Sequence, residues 1–161
     1  GLIGLPNAGK SSLLNALSRA RAKVADYPFT TLEPNLGDFY GYILADIPGL
    51  IEGAAEGKGL GHKFLRHITR TRVLLHCISL EEKDPRAVYD TVRKELEGYG
   101  NGLPEKKEII VLTKADLVDK KCIKEVKKLF PKKKMMVVSA IDDALLKEFS
   151  DGLSARLKAH K

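Results

Sequence analysis

A chain of 161 residues with 43% apolar side chains is the right size for one domain around a buried core, and too apolar to stay disordered. Its formal charge of +7 points to an acidic partner. Two cysteines, Cys77 and Cys122, exclude a disulfide framework and read as free thiols of a reducing cytoplasm, and no apolar run is long enough to span a membrane.

Strand and helix signals alternate along the chain. The first strand, Gly1 to Ile3, is short for the buried strand such a chain needs, which suggests a domain of a longer protein. It runs into Gly4-Leu5-Pro6-Asn7-Ala8-Gly9-Lys10-Ser11, with Ser12 beside it. The spacing G-x-x-x-x-G-K-S is that of the phosphate-binding loop of nucleoside triphosphatases. Gly4 and Gly9 let the backbone turn tightly and approach phosphate oxygens, so that successive N–H groups make an anion nest. Lys10 brings a mobile charge to the β- and γ-phosphates, and Ser11 offers a hydroxyl to Mg²⁺. The helix expected from Lys10 to Arg19 turns its positive end toward the same phosphates. A plain glycine turn would not be flanked by Leu2-Ile3 on one side and by Leu13, Leu14, Ala16 and Leu17 at helical spacing on the other.

Asp26-Tyr27-Pro28-Phe29-Thr30-Thr31 forms a loop whose threonine hydroxyls can complete a Mg²⁺ shell only when GTP is bound, which would make it a switch; the alternative is a threonine pair in a turn. Strands are expected over Gly37 to Tyr40 and Tyr42 to Ile47, joined tightly at Tyr40-Gly41-Tyr42. Asp46-Ile47-Pro48-Gly49 follows, where Asp46 can hold Mg²⁺ through water and Gly49 can offer its N–H to the γ-phosphate. Away from a phosphate loop the same four residues would read as a turn.

A helix from Leu60 to Thr71 and a strand from Val73 to Ser79 come next, then a helix from Pro85 to Tyr99 with proline in its first turn. The buried strand Glu108 to Thr113 ends in Thr113-Lys114-Ala115-Asp116. Asp116 can accept two N–H groups of a guanine edge, a donor pair adenine lacks, and the Lys114 stem can lie along the base. A helix from Lys120 to Phe130 buries Ile123, Val126 and Phe130. After the strand Met135 to Val138, Ser139-Ala140-Ile141 can bring a backbone N–H near the guanine oxygen. The last helix, Ala144 to Lys158, carries Leu145, Phe149, Leu153 and Leu157 one turn apart. This alternation predicts an α/β fold: a mostly parallel six-stranded sheet with helices on both faces and the ligand at the carboxyl ends of the strands.

Taken together, the segments resemble a translation-factor-class small GTPase with a Ras-like P-loop GTPase domain. The wording of the phosphate loop, of Asp26 to Leu32 with Pro34-Asn35-Leu36-Gly37, of Asp46 to Ala54 and of Gly59 to His67 is similar to the Obg family. The likeness is dense to about Ser79 and sparser beyond. It implies Ser11 and Thr31 as Mg²⁺ ligands, with Asp46 acting through water. It also implies Phe29, Thr30, Thr31, Leu32 and Glu33 as the switch. Obg proteins carry a glycine-rich amino-terminal domain and often a carboxyl-terminal extension, neither of which is among these 161 residues. The likeness further implies work in the cytoplasm on the large ribosomal subunit, its RNA and its proteins, a link to the stringent response through guanosine tetraphosphate, and a monomer for the domain alone. Two positions depart from the family. Thr113 stands where it usually has Asn, so only part of that side chain's bracing is expected, and the strand pair around Gly41 is short.

Many GTPases orient the attacking water with a Gln just after the D-x-x-G glycine. Leu50 occupies that position here, so intrinsic hydrolysis is expected to be slow. Asn7 sits where potassium-dependent GTPases ligate K⁺, which could neutralise transition-state charge; the alternative is a backbone hydrogen bond within the loop. A slow Mg²⁺-dependent GTPase with Lys10, Thr31, Gly49 and Asn7 as its catalytic groups is one reading. A nucleotide-gated ribosome-binding module is another, and an ATP-using phosphotransferase is a third, against which Asp116 argues. Eight lysines between Lys120 and Lys134 read as a solvated helix face that could also meet RNA phosphates. His76 and Cys77 point to opposite faces of a strand, and His62 and His67 match no zinc spacing.

Overall fold

The structure, a computed structural model, describes residues 1–18, 23–24, 35–47, 71–100 and 102–159. Its strands are β1 (Leu2–Ile3), β2 (Lys23–Val24), β3 (Asn35–Phe39), β4 (Tyr42–Ala45), β5 (Val73–Ser79), β6 (Lys107–Thr113) and β7 (Met135–Val137). Its helices are α1 (Lys10–Leu17), α2 (Pro85–Tyr99), α3 (Lys120–Lys128) and α4 (Asp143–Ala159), with a 3₁₀ turn over Ala115–Leu117. The expected switch, Phe29 to Glu33, lies outside the described residues, as do Pro48, Gly49, Leu50 and residues 60–70 of the expected second helix.

All six expected strands are present, and β2 is added. They pair as a parallel sheet in the order β1-β5-β6-β7 and an antiparallel one in the order β2-β3-β4. A parallel bridge from Leu2 to Asp46 carries the ladder from one to the other. The crossover order puts the first and last strands on the flanks of β5 and β6, which pair along seven residues from Val73↔Lys107 to Ser79↔Thr113. β5 is buried along its whole length, as a central parallel strand must be when helices cover both faces. One face packs Leu75, Cys77, Ile109 and Val111 against Leu13 and Leu14 of α1 and Phe149 and Leu153 of α4. The other packs Ile78, Ile110 and Leu112 against Tyr89 of α2, Val126 of α3 and Phe130.

Local chemistry sets the element ends. Asp84 caps α2 by accepting from the Ala87 N–H at 3.0 Å, and Asp119 caps α3 by accepting from the Cys122 N–H at 2.8 Å. α1 stops at Leu17, two residues before the expected Arg19, where the Ser18 hydroxyl donates to the Leu14 carbonyl at 2.7 Å. β3 and β4 turn through Tyr40 (φ 51°) and Gly41 (φ 86°), the left-handed pair of a two-residue type I′ hairpin. His76 and Cys77 do face opposite sides. Burial pushes the Cys77 thiol up to about 12, so it is an inert packing group.

Candidate nucleotide-binding site

Every described piece of the site stands at the carboxyl end of a strand, where parallel α/β sheets place their ligands. The phosphate loop leaves β1, Asp46 ends β4, Thr113 to Asp116 leave β6, and Ser139 follows β7.

The loop begins on a tight seat. Gly4 has φ 150°, and a Cβ there would lie 2.5 Å from the Cys77 carbonyl oxygen of β5. Gly9 has φ 84° and is the N-cap of α1 without a side-chain cap, unlike α2 and α3. The first N–H groups of α1 are thereby left for a ligand, and the helix carries no acid in its first turn to compete. Leu5 is half-buried and Ala8 buried, while Pro6, Asn7 and Ser12 are exposed at the rim.

Lys10 is 7% exposed and folds back under the loop. Its Nζ donates to the Gly4 carbonyl at 3.0 Å and to the Ile47 carbonyl at 3.4 Å, and lies 3.8 Å from Asp46 Oδ1. An ammonium has three protons, so these two bonds leave one for a further acceptor. The Ser11 hydroxyl donates to Asp46 Oδ2 at 2.6 Å. Asp46 Oδ1 is buried and takes no hydrogen bond among the described residues. A hydroxyl and a carboxylate with a spare oxygen beside a phosphate loop fit a hard oxygen-seeking cation such as Mg²⁺. Among the described residues no cluster of three His, Cys, Asp or Glu could hold a metal.

A cavity of about 320 Å³ opens beside the loop, lined by Gly9, Ser12, Leu13, Glu81, Thr113, Lys114, Asp116, Leu117, Val138, Ala140 and Ile141. The Thr113 hydroxyl donates to the Ala8 carbonyl at 2.7 Å. Lys114 has φ 62°, which turns the chain out of β6 and into the 3₁₀ turn carrying Asp116. The buried Ser139 hydroxyl donates to Asp116 Oδ1 at 2.7 Å and accepts the Ile141 N–H at 3.3 Å. Ser139 therefore orients the carboxylate, a role its sequence neighbours gave no sign of. Ile141, 79% exposed, forms the rim. Glu81, which no sequence motif marks, holds Lys114 Nζ at 2.7 Å. Its position just past the end of β5 is the signal that could have found it.

A model of the 50S ribosome-binding GTPase family matches residues 1–114. The chain belongs to this family. The match stops at Lys114, just short of the carboxylate at the base site. Relatives carry the likeness farther. GTPase Obg of Prochlorococcus marinus (strain MIT 9515) is 53% identical over 154 residues, which is 90% of this chain and 47% of that protein. GTPase Obg of Trichormus variabilis is 58% identical over 128 residues, or 76% of this chain and 37% of that one. The resemblance to Obg proteins thus holds, and the chain spans less than half the length of these curated relatives. Two solved structures share the fold of this chain. The cytosolic domain of L. pneumophila FeoB superposes with a TM-score of 0.69 at 18% identity, covering 96% of this chain and 66% of that one. The G domain of the T. maritima FeoB iron transporter does so at 0.61 and 22%, covering 92% and 96%. No helix among the described residues is long and apolar enough to cross a membrane.

Proposed function

We propose that this domain binds GTP with Mg²⁺ and hydrolyses it slowly to GDP and phosphate, in the service of large-subunit maturation. The observation that carries the reading is the joining of two half-sites by one bond, Thr113 to Ala8. It sets a phosphate cradle and a cavity holding an oriented carboxylate side by side.

The described side chains have distinct tasks. Lys10 directs its third proton to a β- or γ-phosphate oxygen, and the uncapped start of α1 meets the rest of the phosphate charge. Ser11 and Asp46 would hold Mg²⁺, Asp46 through water; the ion would neutralise charge shared by the β- and γ-phosphates. Asp116, held by Ser139, accepts the two guanine N–H groups, while the Ala140 and Ile141 backbone meets the guanine oxygen. Attack of water on the γ-phosphorus breaks its bond to the bridging oxygen, which leaves with GDP. Thr31 as second Mg²⁺ ligand and Gly49 as a donor to the γ-phosphate complete the proposal on the strength of the Obg resemblance. Guanosine tetraphosphate, with the same base, is proposed to enter the same cavity.

Leu50 favours a second reading, a nucleotide-gated ribosome-binding module with negligible turnover when alone, because its side chain cannot orient a water. Asn7 offers a route around that deficit if K⁺ lies between it and the phosphates. Single-turnover hydrolysis in KCl and in NaCl at equal ionic strength tests both. Faster turnover in KCl, lost in Asn7→Ala, supports the K⁺-assisted enzyme. Equal and nearly zero rates support the module, and stronger binding of ADP than GDP would remove both.

A further inference from the structure

We propose that the outer face of α3, continued by the turn after it, is an RNA-docking surface that grips the phosphate backbone. The choice of RNA as occupant rests on the ribosome-binding reading above; the location of the surface does not.

Segment Asp119 to Lys134 holds eight lysines against two acids, so six of the seven net positive charges of the chain lie in it. Within α3, at 3.6 residues per turn, Lys120, Lys121, Lys124, Lys127 and Lys128 fall in an arc of about 120°. All five are exposed, and the row runs about 12 Å along the helix axis. Lys132, Lys133 and Lys134, also exposed, extend it into the following turn. Glu125 falls outside the arc, and Asp119 is committed to capping the Cys122 N–H. None of the eight lysines forms an ion pair among the described residues, whereas Arg86, Arg93 and Lys114 all do.

An ordinary solvated helix mixes signs and gains from pairs four residues apart. This one stacks like charges, an arrangement that costs stability unless an acidic partner covers it. A membrane surface is a poor match, because an interfacial helix needs an apolar face to insert. The apolar side of α3 (Ile123 and Val126), with Phe130 just beyond it, is already spent on the domain core. A phosphate backbone asks for a row of cations and nothing apolar. α3 begins three residues after the 3₁₀ turn that carries Asp116, so the docked RNA would lie next to the guanine half of the site.

The test is fluorescence anisotropy of the GDP-loaded 161-residue chain with a short labelled RNA duplex across a salt series. Lys121→Gln, Lys124→Gln and Lys128→Gln are combined in one variant, since glutamine keeps helix propensity, and fluorescent GDP binding reports an intact fold. RNA affinity at low salt is expected to fall tenfold or more. The slope of log affinity against log salt should shrink by about 0.9 for each phosphate the variant no longer neutralises. A control variant, Lys83→Gln with Lys147→Gln and Lys158→Gln, should change affinity less than twofold. An equal weakening in the two variants would mean that net charge alone matters and would overturn the proposal. So would tighter binding to phosphatidylserine vesicles than to RNA, or no RNA binding by the parent chain. Co-sedimentation with large ribosomal subunits separates the two readings. Full retention by the α3 variant would sink this surface and leave ribosome binding standing, while no sedimentation of the parent chain would sink both.

Discussion

The Thr113 hydroxyl reaches the Ala8 carbonyl over 2.7 Å and ties the end of β6 to the phosphate loop across 105 positions of sequence. The resemblance to Obg proteins implies an Asn at this point, which would brace the loop and hold the base. A hydroxyl has one proton, and here it goes to the loop. The brace is kept, and the second bond is given up.

Thr113→Val tests this bond with nearly the same volume. It leaves the Ala8 carbonyl without its donor, at a cost of about 1–2 kcal/mol. The expected result is a melting temperature lower by about 2–8 °C and weaker GDP binding. Thr113→Asn, which restores a second donor, should tighten GDP. A Val variant that melts and binds like the parent would refute the brace.

Asp46→Asn should weaken GTP about tenfold or more in Mg²⁺ and very little in EDTA, because the amide keeps an oxygen but loses the charge that draws a cation. Lys10 would also lose its counter-charge at 3.8 Å while remaining buried, so the nucleotide-free variant should melt lower than the nucleotide-free parent. Titration with fluorescent GTP in both buffers separates the two effects. Equal weakening with and without Mg²⁺ would contradict the assignment.

In the proposed binding mode the carboxylate of Asp116 accepts two N–H hydrogen bonds from guanine, and an amide would present one donor and one acceptor instead. Asp116→Asn should therefore weaken GDP binding by roughly a hundredfold and bind the diphosphate of xanthosine, whose carbonyl replaces the guanine amino group. Competition of the two nucleotides against a fluorescent analogue measures the switch. Unchanged preference would show that the cavity does not hold the base as described.

Away from the site, Glu108 accepts from the Tyr89 hydroxyl at 3.0 Å and lies 3.3 Å from both His76 and Arg93. Burial works to raise its carboxyl, but the bonds and charges of His76, Arg93 and Tyr89 prevail and hold it below the ordinary carboxylate range. A depressed carboxyl contributes stability above its unfolded pKa of about 4.3, lost as pH falls through the folded value. Glu108→Gln should flatten that acid limb. Burial, with Glu108 beside it, pushes the Tyr89 phenol up to about 12. The unfolded phenol ionises near 10 and the folded one does not, so stability should fall as pH rises from about 10 to 12. Tyr89→Phe should remove this alkaline limb, and melting curves across pH read both.

Short-range periodicity carried most of the fold. Phe149 and Leu153, one turn apart, are buried as their spacing requires, and α2 and α3 begin at the expected Pro85 and Lys120. The phosphate loop was legible because its chemistry is local, one run of eight residues. What escaped was pairing across sequence. Glu81 meets Lys114 over 33 positions and Ser139 meets Asp116 over 23. No periodicity encodes either pair, because each depends on two strands ending side by side. β2 escaped for a different reason: two residues are too few to show alternation.

Gly4 rests on the Cys77 carbonyl of β5, and Thr113 closes β6, so both anchors of the pocket belong to one seven-residue ladder in the middle of the molecule. Backbone amides there should be among the last to exchange with deuterated solvent, opening only with the whole domain. The floor of the proposed site would then hold its shape between one nucleotide and the next, as slow exchange at β5 and β6 with and without GDP would show.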